Sequence, residues 1–429
     1  MQRLLMDELL QWKQKENRKP LVLKGARQVG KTWIMKEFGR LHFKKVAYVT
    51  FYNNQRMKKV FEDDYDIERI IININIETNT EVTPEDTLII LDEIQEAPRA
   101  LESLKYFCEN APEYAVIAAG SLLGVAIHAG ISYPVGKVDS LELHPMNFRE
   151  FLIAMGEERI ASLLEKGDFS LINDFSEKYI FWLKNYYYVG GMPEVVDYYS
   201  KHKNYKEVRN MQNTILEQYE NDFGKHTSTQ ELPRIRMVWN SIPMQLAKEN
   251  KKFFFGKIKE GARAKDFEIS IEWLQDCGLI KKVYKVSKPA MPLKAYTDFS
   301  SFKLYLLDIG LLGALSELDA ESILDGNAIF VEFKGALTEQ YVLQQIVSDT
   351  EYKPYYYAGE KSTYEVDFLV QRGKDVVPVE VKAEENLRAQ SLKVFCDKYK
   401  PNYAVRTSMS NYREQDWMTN IPLYAICRL

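Results

Sequence analysis

The sequence is poor in the residues that build metal and redox centres. Its 429 residues include 4 cysteines and 5 histidines. Cys108, Cys277, Cys396 and Cys427 are scattered, with no C-x-x-C pair. That argues against a disulfide framework and points to reduced thiols in a cytoplasmic setting. The histidines form no H-E-x-x-H or similar cluster, so zinc is not expected. An excess of either charge is also missing. Lys and Arg number 57 against 61 Asp and Glu, a net charge of −4. No global basic field draws such a chain to nucleic acid, which leaves only local patches for that purpose. There is no internal repeat and no low-complexity tract. Only Tyr114–Ile131 is uncharged over the length of a membrane span, and Gly120, Ser121, Gly124 and His128 interrupt it. It reads as a buried strand, Ala115–Ala119, running into a loop or helix, and no membrane partner is expected. The first twenty residues carry acids and no apolar core of leader length. They read as an amphipathic helix with Leu4, Leu5, Leu9 and Trp12 on one side.

What the chain does contain is apolar material for two or three cores: 46% of residues are hydrophobic and 28% charged. Its organising stretch is Gly25-Ala26-Arg27-Gln28-Val29-Gly30-Lys31-Thr32, a match to G-x-x-x-x-G-K-[ST]. The apolar run Leu21-Val22-Leu23 precedes it, and Ile34, Met35 and Phe38 follow at helical spacing. Strand, loop, helix is the setting in which backbone N–H groups and a helix N-terminus cradle phosphates. Lys31 is then expected to meet the β- and γ-phosphates of ATP, and Thr32 to offer its hydroxyl to Mg²⁺.

Leu88-Ile89-Ile90-Leu91-Asp92-Glu93 is a second signal, an apolar strand tipped by two acids. Asp92 is expected to help hold Mg²⁺ and Glu93 to activate the attacking water. Ser121, just past the strand Ala115–Ala119, is a candidate sensor of the γ-phosphate, or a cap of the next helix. GSLLG is not G-x-S-x-G, which disfavours a hydrolase nucleophile. Val138–Leu143 reads as one more strand.

Taken in order, GARQVGKT, LIILDEIQ, AAGSLLG and LELHPMNFREFL resemble the prokaryotic AAA+-like ATPases that carry a C-terminal domain of uncharacterised function. The four motifs lie within roughly the first 155 residues. The resemblance implies ATP, Mg²⁺ and a P-loop sheet with a strand inserted before the Walker B strand. Members of that family commonly have Gly-Arg where this chain has Gly136-Lys137. Lys137 offers charge there without the bidentate fork of an arginine finger.

The middle of the chain is helical in pattern. Phe169–Leu183 leads into Tyr186-Tyr187-Tyr188-Val189-Gly190-Gly191-Met192-Pro193, an aromatic core stretch followed by a fixed turn. Leu232–Ala247 and Ala264–Asp276 read as helices, and Leu279–Val286 as a strand. That order suggests a winged helix, with Lys251, Lys252, Lys257, Lys259, Arg263 and Lys265 as a basic side. A packing module with a solvated face, its lysines interleaved with Glu249, Glu260 and Asp266, is the alternative.

Near the C-terminus, Tyr364–Gln371 and Asp375–Lys382 alternate around Arg372-Gly373-Lys374, a hairpin signal. The register puts Asp367 opposite Glu380. One face collects Val366, Phe368, Val370, Val377, Val379 and Val381, and the other Asp367, Glu380 and Lys382. An Asp followed by Glu-x-Lys resembles the PD-(D/E)XK nuclease core. The resemblance implies Mg²⁺ on Asp367 and Glu380, water positioned by Lys382, and a further acid at Glu339. An inactive nuclease fold and an exposed polar face remain as alternatives.

The expected architecture is α/β in three parts. Residues 1–195 form a P-loop ATPase sheet with helices on both faces. Residues 196–310 form a helical, winged-helix-like connector, and residues 311–429 a restriction-endonuclease-like α/β domain. The favoured function is ATP hydrolysis coupled to a C-terminal domain that acts on or binds DNA. Its rival is a nucleotide-controlled switch whose C-terminal domain is inactive and meets a protein partner or another copy of the chain.

Overall fold

The computed structural model describes residues 2–121, 123–124, 132–225, 227–248, 251–325, 331–359, 364–383 and 389–429. Residues 125–131 of the uncharged stretch and Glu249 lie outside the described residues. The chain divides into two compact units. One is Gln2–His144 with Asp276–Leu279, and the other is Pro145–Gln275 with Ile280–Leu429.

The first unit is built on five parallel strands, β1 (Leu21–Lys24), β2 (Lys45–Thr50), β3 (Thr87–Asp92), β4 (Ala115–Ala119) and β5 (Asp139–Glu142), in the order β2-β3-β4-β1-β5. A strand covered on both faces needs no polar alternation. Accordingly β3 and β4 are buried at every residue. β4 separates β1 from β3, the inserted-strand arrangement expected from the motifs. One face of the sheet packs on a core that includes Ile70, Ile74, Leu101, Leu104 and Phe107 from helices Ile67–Thr78 and Pro98–Asn110. The N-terminal helix Leu5–Gln14 buries Leu9 and Trp12, with the Trp12 indole donating to Lys19 O at 2.8 Å. Leu4 and Leu5 are only partly covered.

The second unit carries a mixed sheet of eight strands. They are β6 (Ile280–Val286), β7 (Thr297–Leu306), β8 (Tyr355–Ala358), β9 (Glu365–Arg372), β10 (Asp375–Val381), β11 (Val405–Ser408), β12 (Arg413–Gln415) and β13 (Met418–Pro422). Their order is β12-β13-β11-β10-β9-β8-β6-β7. Helices Leu232–Leu246 and Glu268–Asp276 precede the antiparallel pair β6–β7. That hairpin is joined to the C-terminal strands through one residue pair, Lys285↔Tyr356, so it extends their sheet. The helical pattern at Phe169–Leu183 is broken at Phe175 into helices Phe169–Asp174 and Ser176–Val189. The Asp168 carboxylate caps the first, accepting from Ser170 N and Leu171 N. Tyr186, Tyr187 and Tyr188 are buried core, as expected, and the Tyr186 hydroxyl donates to Met146 O at 2.5 Å. Among the described residues no helix is long and apolar enough to cross a membrane.

The β9–β10 register is as the sequence implies through Val379↔Phe368. The clean two-face division is not. Between Tyr355↔Leu369 and Tyr357↔Val366 the pairing of β9 with β8 slips by one residue, a bulge. Val366 and Leu369 then share a core with Phe395, while Phe368 turns to Tyr305, ring centroids 6.1 Å apart. Strict alternation fails at the residues flanking Asp367.

Helix Val331–Asp349 ends on an acid with one unpartnered oxygen. Asp349 Oδ1 accepts from Asn147 Nδ2 at 2.6 Å, but Oδ2 is buried with no partner among the described residues. Burial pushes this carboxyl up to about 7, against Arg149 and with help from Glu150. A folded-state pKa above the unfolded value means that the unfolded chain ionises first. The acid's contribution is therefore complete below about pH 4 and lost as pH rises toward 7. Asp349→Asn should remove that decline. Urea unfolding should show the variant gaining on the wild type between pH 4.5 and 7.5 by roughly 1–2 kcal/mol, allowing for partial solvent contact. An unchanged difference across that range would refute the assignment.

Candidate active site

The loop after β1 is shaped by two glycines. Gly25 has φ +142°, and a Cβ there would lie 2.3 Å from Leu143 O. Gly30 has φ +95° at the entry to helix Lys31–His42. Side chains other than hydrogen are excluded or strained at both. Between them Ala26 and Val29 are buried and Gln28 takes φ +66°. Arg27 Nε donates to Ser121 Oγ at 3.2 Å. Lys31 folds back over the loop, donating to Gly25 O at 2.9 Å and Ala26 O at 2.7 Å. Burial pushes its ammonium down to about 8, opposed by Glu93 and Asp92. Phosphate oxygens would offset that desolvation.

The tip of β3 meets this loop. Asp92 is buried, and its Oδ2 accepts from Thr32 Oγ1 at 2.6 Å and from the Tyr48 hydroxyl at 3.0 Å. Its Oδ1 accepts from Glu93 N at 3.0 Å. Glu93 sits in a left-handed turn, φ +53°, and its Oε2 accepts from Gln95 Nε2 at 2.5 Å. β3 and β4 end level, with Asp92 paired to Ala119, so Ser121 emerges beside the loop. The structure therefore gathers Gly25–Thr32, Asp92, Glu93 and Ser121 at one edge of the sheet. Tyr48 is an addition that the sequence does not flag. Its one signal is an aromatic residue on β2 paired with Ile90 of β3. Burial and Asp92 push its phenol up to about 12, which keeps it a donor to Asp92. A hydroxyl and a carboxylate 2.6 Å apart are the hard oxygen donors that suit Mg²⁺, so Thr32 and Asp92 fit that ion. Lys137 is spent on an ion pair with Glu109 at 2.8 Å.

The C-terminal acids lie in the second unit. Asp367 Oδ2 accepts from Val381 N at 2.7 Å, standing in for the ladder where the pairing ends. Burial, then Glu339, raises its carboxyl well above the usual range. Burial alone would raise Glu339, but Lys251 and Lys303 bring it down to about 2. Lys251 pairs with it directly, Lys303 Nζ lies 3.6 Å away, and the Tyr305 hydroxyl donates at 3.1 Å. Lys303, with no exposed side-chain surface, also meets Glu365 at 2.5 Å. Glu380 accepts from Leu392 N at 2.8 Å and pairs with Lys382 at 2.7 Å.

Glu339, Asp367 and Glu380, expected to share a cation, are each held by protein partners here. Among the described residues no three His, Cys, Asp or Glu side chains are placed to hold a metal ion. Glu339, Glu365 and Glu380 are each paired with a lysine, Lys251, Lys303 and Lys382. A divalent ion would have to compete with these ammonium groups for the acids. Lys251 is accordingly turned inward, not part of an exposed basic side. Lys303 and Tyr305 escape sequence reasoning. Their only mark is a lysine between Phe302 and Leu304 in an otherwise apolar run.

A family model described as an AAA domain matches residues 17–152. Residues 180–322 and 334–426 match two domains of unknown function, DUF8612 and DUF4143. No curated protein matches the chain. Among solved structures, the Walker-type ATPase PABY2304 of Pyrococcus abyssi is 13% identical at a TM-score of 0.45, covering 72% of this chain and 94% of its own. The Aeropyrum pernix Orc1 protein in complex with DNA is 13% identical at a TM-score of 0.26, covering 73% and 90%. A Thermotoga maritima RuvB variant is 12% identical at a TM-score of 0.30, covering 68% and 91%. The AAA match and the loop geometry agree on the first part of the chain: residues 17–152 are similar to an AAA domain and carry its P-loop.

Proposed function

We propose that this chain hydrolyses ATP with Mg²⁺ and that its second unit responds to the nucleotide state. The Thr32–Asp92 hydrogen bond beside Lys31 carries the reading. Thr32 and Asp92 would hold Mg²⁺, which would supply positive charge against the phosphates. Lys31 would meet the β- and γ-phosphates. Glu93 would take a proton from water as its oxygen bonds to the γ-phosphorus and the bond to the ADP oxygen breaks. Ser121 and Arg27, already hydrogen-bonded, would sense the γ-phosphate. Lys31→Ala should abolish binding of a fluorescent ATP analogue while the thermal transition of the apo chain stays intact. Full nucleotide affinity in that variant would reject the site.

For the second unit, the favoured reading is now the regulatory switch, in which a nuclease-like fold meets a protein partner or another copy of the chain. Its support is the pairing of Glu339, Glu365 and Glu380 with lysines. DNA binding is the second reading, favoured by Lys382, whose side chain stays 33% exposed beside Glu380. Incubating the chain with DNA and Mg²⁺ or Mn²⁺, with and without ATP, separates them. Cleavage lost in Lys382→Ala would restore the nuclease reading. Shifted mobility without cleavage would keep DNA as a ligand only. The three-part division at 195 and 310 is retained as the proposed organisation.

A further inference from the structure

The turn after β3 holds one side chain that the chemistry above leaves unused. Gln95 donates through Nε2 to Glu93 Oε2 at 2.5 Å. That contact fixes which way the amide points, because an oxygen there would face a carboxylate. The other end, Oε1, is buried and has no hydrogen-bond partner among the described residues. An orphaned buried acceptor is rare enough to call for an explanation. It faces the end of β4, where a Cβ on Gly120 would lie 2.3 Å from it. The next residue, Ser121, accepts from Arg27 of the phosphate loop. The orphaned oxygen is thus placed between the Glu93 carboxylate and the strand end flanking that loop, in the space that a side chain at Gly120 would take.

We propose that Gln95 is a catalytic residue of ATP hydrolysis, its Oε1 accepting a hydrogen bond from the attacking water while Glu93 accepts the proton. This rests on the ATPase reading. A nucleophilic water has two O–H groups and must turn a lone pair to the γ-phosphorus. Two acceptors held in one frame fix both O–H directions and leave the lone pair aimed. As the new P–O bond forms and the bond to the ADP oxygen breaks, one proton passes to Glu93. The other stays on the product phosphate, held by Gln95, which is not itself protonated. The Nε2 contact keeps the two acceptors in register.

Two variants test this. Gln95→Met keeps the length of the side chain and removes both polar ends. Gly120→Ala leaves Gln95 in the sequence but puts a methyl group where Oε1 lies. Three quantities are measured: kcat, affinity for a non-hydrolysable ATP analogue, and affinity for ADP with aluminium fluoride, which mimics the transferring phosphoryl with its water. Both variants should bind the analogue within about twofold of wild type. Both should lose roughly ten- to hundredfold in kcat, and a similar factor in affinity for the aluminium fluoride complex, as expected for a misplaced nucleophile. Unchanged aluminium fluoride affinity with wild-type kcat would overturn the proposal alone. So would a loss of analogue binding that accounts for the whole loss of kcat. A wild-type chain that binds ATP and never turns it over would remove the ATPase reading, and this proposal with it.

Discussion

Glu93→Gln should bind ATP as tightly as the wild type and turn it over about 10²- to 10⁴-fold more slowly, the usual range for loss of a general base. The separation follows from the geometry at the tip of β3. Asp92, not Glu93, holds the Thr32 hydroxyl, and Lys31 donates to Gly25 O and Ala26 O. Binding and proton transfer are therefore carried by different atoms. Removing the carboxylate charge also deprives Lys31 of one of the two anions that offset its burial. Some strengthening of the lysine's demand for phosphate is expected, so affinity should hold or rise. Steady-state phosphate release with equilibrium binding of a fluorescent analogue reads both quantities. Wild-type turnover in Glu93→Gln would move the base elsewhere.

Lys303→Met should be the most destabilising single change in the second unit. Lys303 is fully buried, and its charge serves Glu365 and Glu339 together. Its removal leaves carboxylates inside the protein with too few counter-charges, which typically costs about 3–5 kcal/mol. Urea unfolding measures the loss, and pairing the change with Glu365→Gln should return much of it. A loss under about 1 kcal/mol, the scale of exposed pairs, would mean that the ammonium is not structurally required. Adding millimolar Mg²⁺ or Mn²⁺ gives an independent reading, since an ion that binds only the folded state stabilises it by mass action. Restored stability in Lys303→Met would show that the acids accept a divalent ion once the lysine is gone. The wild type, with these acids already paired to lysines, should respond little.

Those two sites differ in how much of them the sequence discloses. Around Lys31 nearly everything is local in the chain. A loop of fixed length, a strand ending in Asp92-Glu93 and a strand ending at Gly120-Ser121 each declare themselves, and the parallel order β2-β3-β4-β1-β5 brings them level. Tyr48 and Gln95 stay hidden there because a tyrosine on a strand and a glutamine in a turn are ordinary until their partners are known. In the second unit the hairpin register is legible, since turn and alternation fix it through Val379↔Phe368. Its chemistry is not. Lys251 lies 88 residues from the Glu339 it pairs with, and nothing in either neighbourhood advertises the pairing. The bulge in β9 is equally silent, because Val366, Asp367 and Phe368 fit a regular strand as well as an irregular one.

The join between β6 and β8 has a consequence for how the second unit opens. Seven residue pairs hold β6 to β7, but among the described residues the backbone ladder joins that ribbon to the strands carrying Asp367 and Glu380 at one pair, Lys285↔Tyr356. A ladder so narrow at one rung is the natural seam between cooperative folding units. The ribbon should exchange its amide hydrogens as one block and the C-terminal strands as another. Lys303 lies on the ribbon, while Glu365 lies across the seam. Here a buried charge pair and a shared apolar core cross where the backbone ladder is narrow, so opening the seam would also expose the Lys303–Glu365 pair to water.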